Sequence, residues 1–99
     1  MGISDLLTML KFDLGITTTT AYDERLTQYI QSAILSIIRE GATIATESDG
    51  VYSIASVDDA TLIVMYAAWL WRKRDSGEGM PRMLRYKLNN RIMAEKMQG

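Results

Sequence analysis

Residues 60–83 read ATLIVMYAAWLWRKRDSGEGMPRM, and the folding of this stretch decides the architecture of the whole chain. A continuous apolar block, Leu62 to Trp71, runs directly into Arg72-Lys73-Arg74. A glycine-bearing loop, residues 75–80, comes next, and Pro81 opens another helix. The block lacks strand alternation and is too long for an ordinary strand, while Ala67, Ala68 and Leu70 favour helix. Ser56 is placed to cap it, and Asp58 and Asp59 suit its positive first turn. The sequence predicts a helix to about Arg74, where three cations match the negative end of the dipole. A helix that is apolar all round must be buried on every side. In 99 residues it is either the central core helix or a helix that keeps one face for a partner.

Downstream, Pro81 is a good first residue for a helix running to about Lys96. Leu84, Leu88 and Ile92 form one stripe suited to the core. Tyr86, Met93 and Met97, with Met83 and Asn90 beside them, form a second stripe roughly opposite. Arg82, Arg85, Asn89 and Lys96 make a polar strip. Two separated apolar stripes give this helix more apolar surface than one core covers. Methionine is an adaptable contact residue, and four of the seven lie in this last segment. Self-association or docking through this surface is the expectation.

Upstream, Leu26, Tyr29, Ile30, Ala33, Ile34, Ile37 and Ile38 recur at helical spacing within about Ala21–Glu40, and Gly41 ends the run. A shorter helix is expected over about Asp5–Leu14, capped by Ser4 and stopped at Gly15. Thr17–Thr20 reads as a linker whose last hydroxyl caps the next helix. Residues 42–56 break the helical pattern. Short β-leaning runs there flank Ser48-Asp49-Gly50, and Asp-Gly is a strong turn signal. The fold expected is all-α: a single-domain bundle of about four helices, with a hairpin or extended loop between the second and third. Trp69 and Trp71 point about 160° apart on a helix. One is expected to anchor the core, the other to border the loop or an interface with Tyr66.

Composition removes most chemistry. The chain has no cysteine and no histidine, so thiolate chemistry, the usual general base and the commonest metal ligand are all missing. Asp23-Glu24 and Asp58-Asp59 fall in first helical turns, where capping explains them. Gly77 and Gly79 lack the context of a phosphate-binding loop. No catalytic residue, cofactor or metal is expected, and the chain does not read as an enzyme. The apolar block falls short of the roughly 20 residues that span a bilayer, and no secretory signal pattern opens the chain. A reducing, soluble setting without membrane contact is expected.

Charge is unevenly placed. Residues 1–71 hold three basic and nine acidic residues, giving −6; residues 72–99 hold eight basic and three acidic, giving +5. The plain reading is a solvated basic face on the last helix. Two functional readings stand beside it: an anionic partner such as nucleic acid, or the acidic part of one copy packing on the basic part of the next. Helices three and four resemble a helix-turn-helix, with Arg82, Arg85 and Asn89 as base-reading residue types. The connection is longer than the three to four residues of that motif, however, and the acidic first part repels DNA.

Taken together, DLLTMLKFDLGI (5–16), YDERLTQYIQSAILSIIREG (22–41) and DDATLIVMYAAWLWRKRDSGEGMPRMLRYKLNNRI (58–92) resemble the small head–tail connector, or adaptor, proteins of long-tailed double-stranded DNA bacteriophages. The resemblance covers nearly the whole chain. Its specific part runs from Asp58-Asp59 through Arg72-Lys73-Arg74 to Gly77-Glu78-Gly79-Met80-Pro81-Arg82-Met83-Leu84. It implies a helical, non-catalytic subunit of a homo-oligomeric ring between the portal protein and a downstream head–tail joining or tail-completion protein. DNA would pass through as non-specific cargo. The location implied is the virion head–tail junction, reached from the bacterial cytoplasm. On charge alone, Arg72, Lys73, Arg74, Arg82 and Arg85 are expected to meet acidic groups of an adjacent subunit, with Tyr86, Met93 and Met97 in the same interface.

Overall fold

The computed structural model describes residues 1–98, the side chains of Asp75 and Gln98 excepted; the last residue of the expected domain, Gly99, lies outside the described residues. Four helices are present: α1 (Ile3–Leu14), α2 (Asp23–Glu40), α3 (Val57–Ser76) and α4 (Arg82–Gln98). Strands β1 (Thr46–Ser48) and β2 (Val51–Ser53) form a small antiparallel hairpin between α2 and α3. The all-α bundle with an inserted hairpin is the architecture expected from the periodicity.

The apolar block becomes the central helix. α3 packs against α1, α2 and α4 and carries Leu62, Ile63, Val64, Tyr66, Ala67 and Ala68 into the core. Small residues at 60, 67 and 68 let neighbouring helices approach closely. From α2, the stripe Leu26, Ile30, Ala33, Ile34 and Ile37 is buried, as its 3–4 spacing requires. Leu6 and Leu10 close the third side from α1. Removing any one of these large side chains costs about 2–5 kcal/mol through lost transfer energy and the cavity left behind.

Helix ends follow local chemistry, with two corrections. Ser56 caps α3 as expected, its Oγ accepting from the Asp59 N–H at 3.4 Å. α1 starts two residues earlier than the Ser4 cap implied: Gly2 is the N-cap, and the Asp5 carboxylate reaches back to accept from the Gly2 N–H at 3.0 Å. α2 starts after Tyr22 without a side-chain cap, so Thr20 does not serve that role; Thr19 Oγ1 instead accepts from Ala21 N–H. Gly41 ends α2 in the left-handed region at φ 119°, and the Ala42 N–H folds back onto the Ile37 carbonyl.

In the excursion 42–56, Asp49 and Gly50 both take positive φ, 53° and 79°, as a two-residue hairpin turn of type I′ demands. The strands are three residues each and largely solvent-facing, which alone would be marginal. Anchorage comes from either side of the hairpin. Ile44 and Ile54 are buried in the helical core, and both main-chain groups of Met1 pair with Ile54, at 2.7 and 2.9 Å. The exposed hairpin is thus tied to the bundle at its base. The molecule is flattened, with principal extents of 42 × 33 × 18 Å.

Candidate interaction surface on the fourth helix

α4 joins the bundle by one narrow face, and its sequence determines where that face ends. Leu84 and Leu88 are fully buried against α3. Ile92 extends the apolar contact as a partly buried side chain near Gly41, and the inward positions Arg91 and Glu95 add a polar contact beside it. Arg91 donates from Nε to Asp59 Oδ1 at 2.8 Å and from Nη2 to the Thr43 carbonyl at 3.1 Å. Glu95 accepts from the Thr43 main-chain N–H at 2.6 Å and lies 3.6 Å from the Arg91 guanidinium. Hydrogen bonding to Asp59 raises the Arg91 pKa further above its already high value, so this guanidinium is always charged. Hydrogen bonds from Thr43, through its hydroxyl and then its main-chain N–H, hold the Glu95 carboxyl below the ordinary glutamate value.

This polar clasp was not anticipated. Asp59 reads locally as a first-turn carboxylate, yet it is nearly buried and holds a cation 32 residues away. The available signal was spacing: 84, 88, 91 and 95 fall at i, i+4, i+7 and i+11, a core-facing series that puts Arg91 and Glu95 inward.

The opposite stripe faces solvent. Met83, Tyr86, Met93 and Met97 are 62, 64, 60 and 84% exposed. Arg82, Met83 and Tyr86 line a shallow depression on this side. No charge of opposite sign interrupts it, because Glu95, the one acidic residue of α4, is turned inward onto Thr43 and Arg91. The exposed face of α4 is therefore apolar and cationic.

Four of the cations expected at a subunit interface have contacts inside the chain. Arg85 pairs with Glu40 at 2.8 Å. Arg72 lies 3.8 Å from Asp13. Lys73 sits 4.5 Å over the Trp69 ring, and Arg74 stacks 3.6 Å over Trp71 while donating to its carbonyl at 2.7 Å. Among the charged residues expected at a subunit interface, Arg82 presents its side chain beside the exposed stripe, whereas Arg85 is directed to α2.

Neither tryptophan is fully buried, yet both pack against the core from its edge. Trp69 borders the loop, as foreseen for the partner of Tyr66: the rings meet edge-on at 5.5 Å, and the indole N–H donates to the Glu78 and Gly79 carbonyls at 3.3 and 3.1 Å. Trp71 forms a half-buried aromatic cluster with Tyr22 and Tyr29 of the α2 side, at 5.4 and 6.1 Å.

Among the described residues, no group of three acidic or other ligating side chains is arranged to hold a metal, and no helix is long and apolar enough to cross a membrane. No family model, curated protein or solved structure matches the chain.

Proposed function

We propose that the chain is a structural subunit of a head–tail connector ring of a long-tailed bacteriophage, placed between the portal and the next joining or tail-completion protein. The observation that carries this reading is the exposed stripe Met83–Tyr86–Met93–Met97 on a helix whose opposite face is fully engaged. An apolar, flexible-side-chain surface rimmed by cations suits a protein partner better than water. The flattened shape and the projecting hairpin fit a subunit that stacks between two other components. The sequence resemblance supplies the setting: assembly in the bacterial cytoplasm into a virion, with DNA passing as unread cargo and no catalytic step.

The DNA-binding alternative makes a different use of the same helix. It needs Arg82, Arg85 and Asn89 free on one strip, whereas Arg85 is tied to the Glu40 carboxylate, which a duplex would approach at a cost. Light scattering of the purified chain over a concentration series, with electron micrographs of any large species, tests the proposal. Closed rings, alone or on addition of a portal protein, are the expected result. A monomer that ignores portals but binds duplex with steep salt dependence and sequence preference overturns it.

A further inference from the structure

A second surface of this molecule is complementary to the α4 stripe. Between α1 and α3 lies an open groove of about 440 Å³, with Met9, Phe12, Val64 and Met65 among its lining residues. Phe12 is 80% exposed at this groove, an unusual position for a phenyl ring in the absence of a covering group. Its electrostatics mirror those of α4. α1 carries one cation, Lys11, and its amine is drawn away to Asp23 at 2.8 Å with the side chain largely buried. What α1 offers to solvent beside the groove is Asp13, half-exposed and only loosely associated with Arg72 at 3.8 Å. Asp58, exposed at the start of α3, belongs instead to the neighbouring α3–α4 depression, where Lys87 and Arg91 also lie, so Asp13 is the carboxylate of this groove. One face is thus apolar with a carboxylate at its edge, the other apolar with cationic neighbours. Lys11 of α1 and Glu95 of α4, the charges of opposite sign on those two helices, are each drawn into an internal pair.

We infer that the exposed α4 stripe of one copy seats in the α1–α3 groove of a second copy, giving a heterologous, head-to-tail contact. Tyr86 and Met93 enter the groove beside Phe12, and the cations flanking the stripe, Arg82 and Lys96, lie on the side of Asp13. Two different patches are used on each subunit, so the contact propagates instead of closing as a two-fold dimer. Apolar contact supplies affinity, while the opposed charges set orientation and encounter rate. This deepens the ring reading and rests on it for the closure of the chain of contacts, though not for the contact itself.

Because the chain contains no cysteine, single thiols can be placed on each face without background. Phe12→Cys and Met93→Cys change exposed side chains and leave the core intact. The two single variants, distinguishable by mass, are mixed at high protein concentration and oxidised with copper–phenanthroline. The expected product is the mixed disulfide joining Phe12→Cys to Met93→Cys, in clear excess over both homodimers, with the double variant giving a ladder of higher multimers. A statistical mixture, an absence of cross-links, or predominance of the Met93→Cys homodimer overturns the head-to-tail contact. Micrographs of the same samples separate the two readings. Rings without the mixed disulfide remove this interface and leave the connector; the mixed disulfide in open filaments without rings keeps the interface and removes the connector.

Discussion

Arg91 Nε stands 2.8 Å from Asp59 Oδ1, tying the inner face of α4 to the first turn of α3 across 32 residues of chain. Both side chains are mostly shielded, and the same guanidinium also satisfies the Thr43 carbonyl. Such a pair owes its value less to attraction than to the cost of leaving either partner alone. Arg91→Ala strands Asp59 and the Thr43 carbonyl together and is expected to lower unfolding free energy by about 2–3 kcal/mol, less than for a fully buried pair because a quarter of the arginine side chain meets solvent. Asp59→Ala should cost a similar amount. In Asp59→Leu/Arg91→Met no buried carboxylate is stranded at position 59, and only the more exposed Glu95 loses its cation, so much of the loss should return. Urea unfolding of the two single-site alanine variants, the double alanine variant and the apolar pair measures the coupling directly.

That clasp also marks how far the sequence was legible. The helices of the bundle announced themselves because their periodic apolar residues serve one shared core, and Asp49-Gly50 named its turn because few dipeptides tolerate two positive φ angles. Local signals misplaced the caps of α1 and α2: Asp5 closes the first turn of α1 in place of Ser4, and α2 starts with no side-chain cap, Thr19 bonding Ala21 ahead of it; several hydroxyls and carboxylates competed within a few residues. Asp59–Arg91 was hidden for a different reason. Each residue has a sufficient local explanation, in a cap and in a solvated basic face, and only the packing of α4 on α3 brings them together. Of the candidate interface, the stripe Tyr86, Met93 and Met97 was readable from the helical wheel and is exposed as expected. The fate of Arg85 depended on where Glu40 would end α2, which spacing alone does not specify.

Glu95 makes the attachment of α4 sensitive to acid. Thr43 holds its carboxyl below the ordinary glutamate value of 4.5, so the unfolded chain takes up this proton at higher pH than the folded one. The stabilisation is complete above the unfolded value and is lost as pH falls through the lower, folded value. Amide exchange at Thr43 and along the last two turns of α4 should accelerate over that acid range, ahead of the core of α2. Glu95→Gln should flatten the pH response, leaving at neutral pH part of the loosening that the native chain shows only in acid.

Trp69 fastens the connection between α3 and α4. Its indole N–H is shared between the Glu78 and Gly79 carbonyls, and its ring is held edge-on by Tyr66. Trp69→Phe keeps an aromatic body for Tyr66 and Lys73 but removes the donor, so a loss of about 1 kcal/mol is expected, with faster proteolysis in residues 77–81. Trp69→Ala removes the ring contact as well and should cost about 2–3 kcal/mol, below the full value for a buried tryptophan since this one is only partly buried. Thermal unfolding with limited proteolysis distinguishes the two contributions.

The two faces of α4 should respond to mutation in opposite ways. Leu88 is fully buried, and Leu88→Ala is expected to cost about 2–5 kcal/mol of stability. Tyr86 and Met93 touch mainly solvent, and glutamate is a good helix former, so Tyr86→Glu and Met93→Glu should each stay within about 0.5 kcal/mol of the native chain. Their effect should instead appear in assembly. A carboxylate at either position replaces an apolar contact and is set against the apolar α1–α3 groove with Asp13 at its edge, so sedimentation should show smaller species at concentrations where the native chain associates. Arg82→Glu should act the same way through charge alone, with its effect fading as salt rises. Arg85→Glu is the control with a different signature, because it sets a second carboxylate against Glu40 and should loosen the fold by up to about 1 kcal/mol. If Tyr86→Glu and Met93→Glu associate like the native chain while remaining folded, the exposed stripe is a solvated surface and the partner of this molecule binds elsewhere.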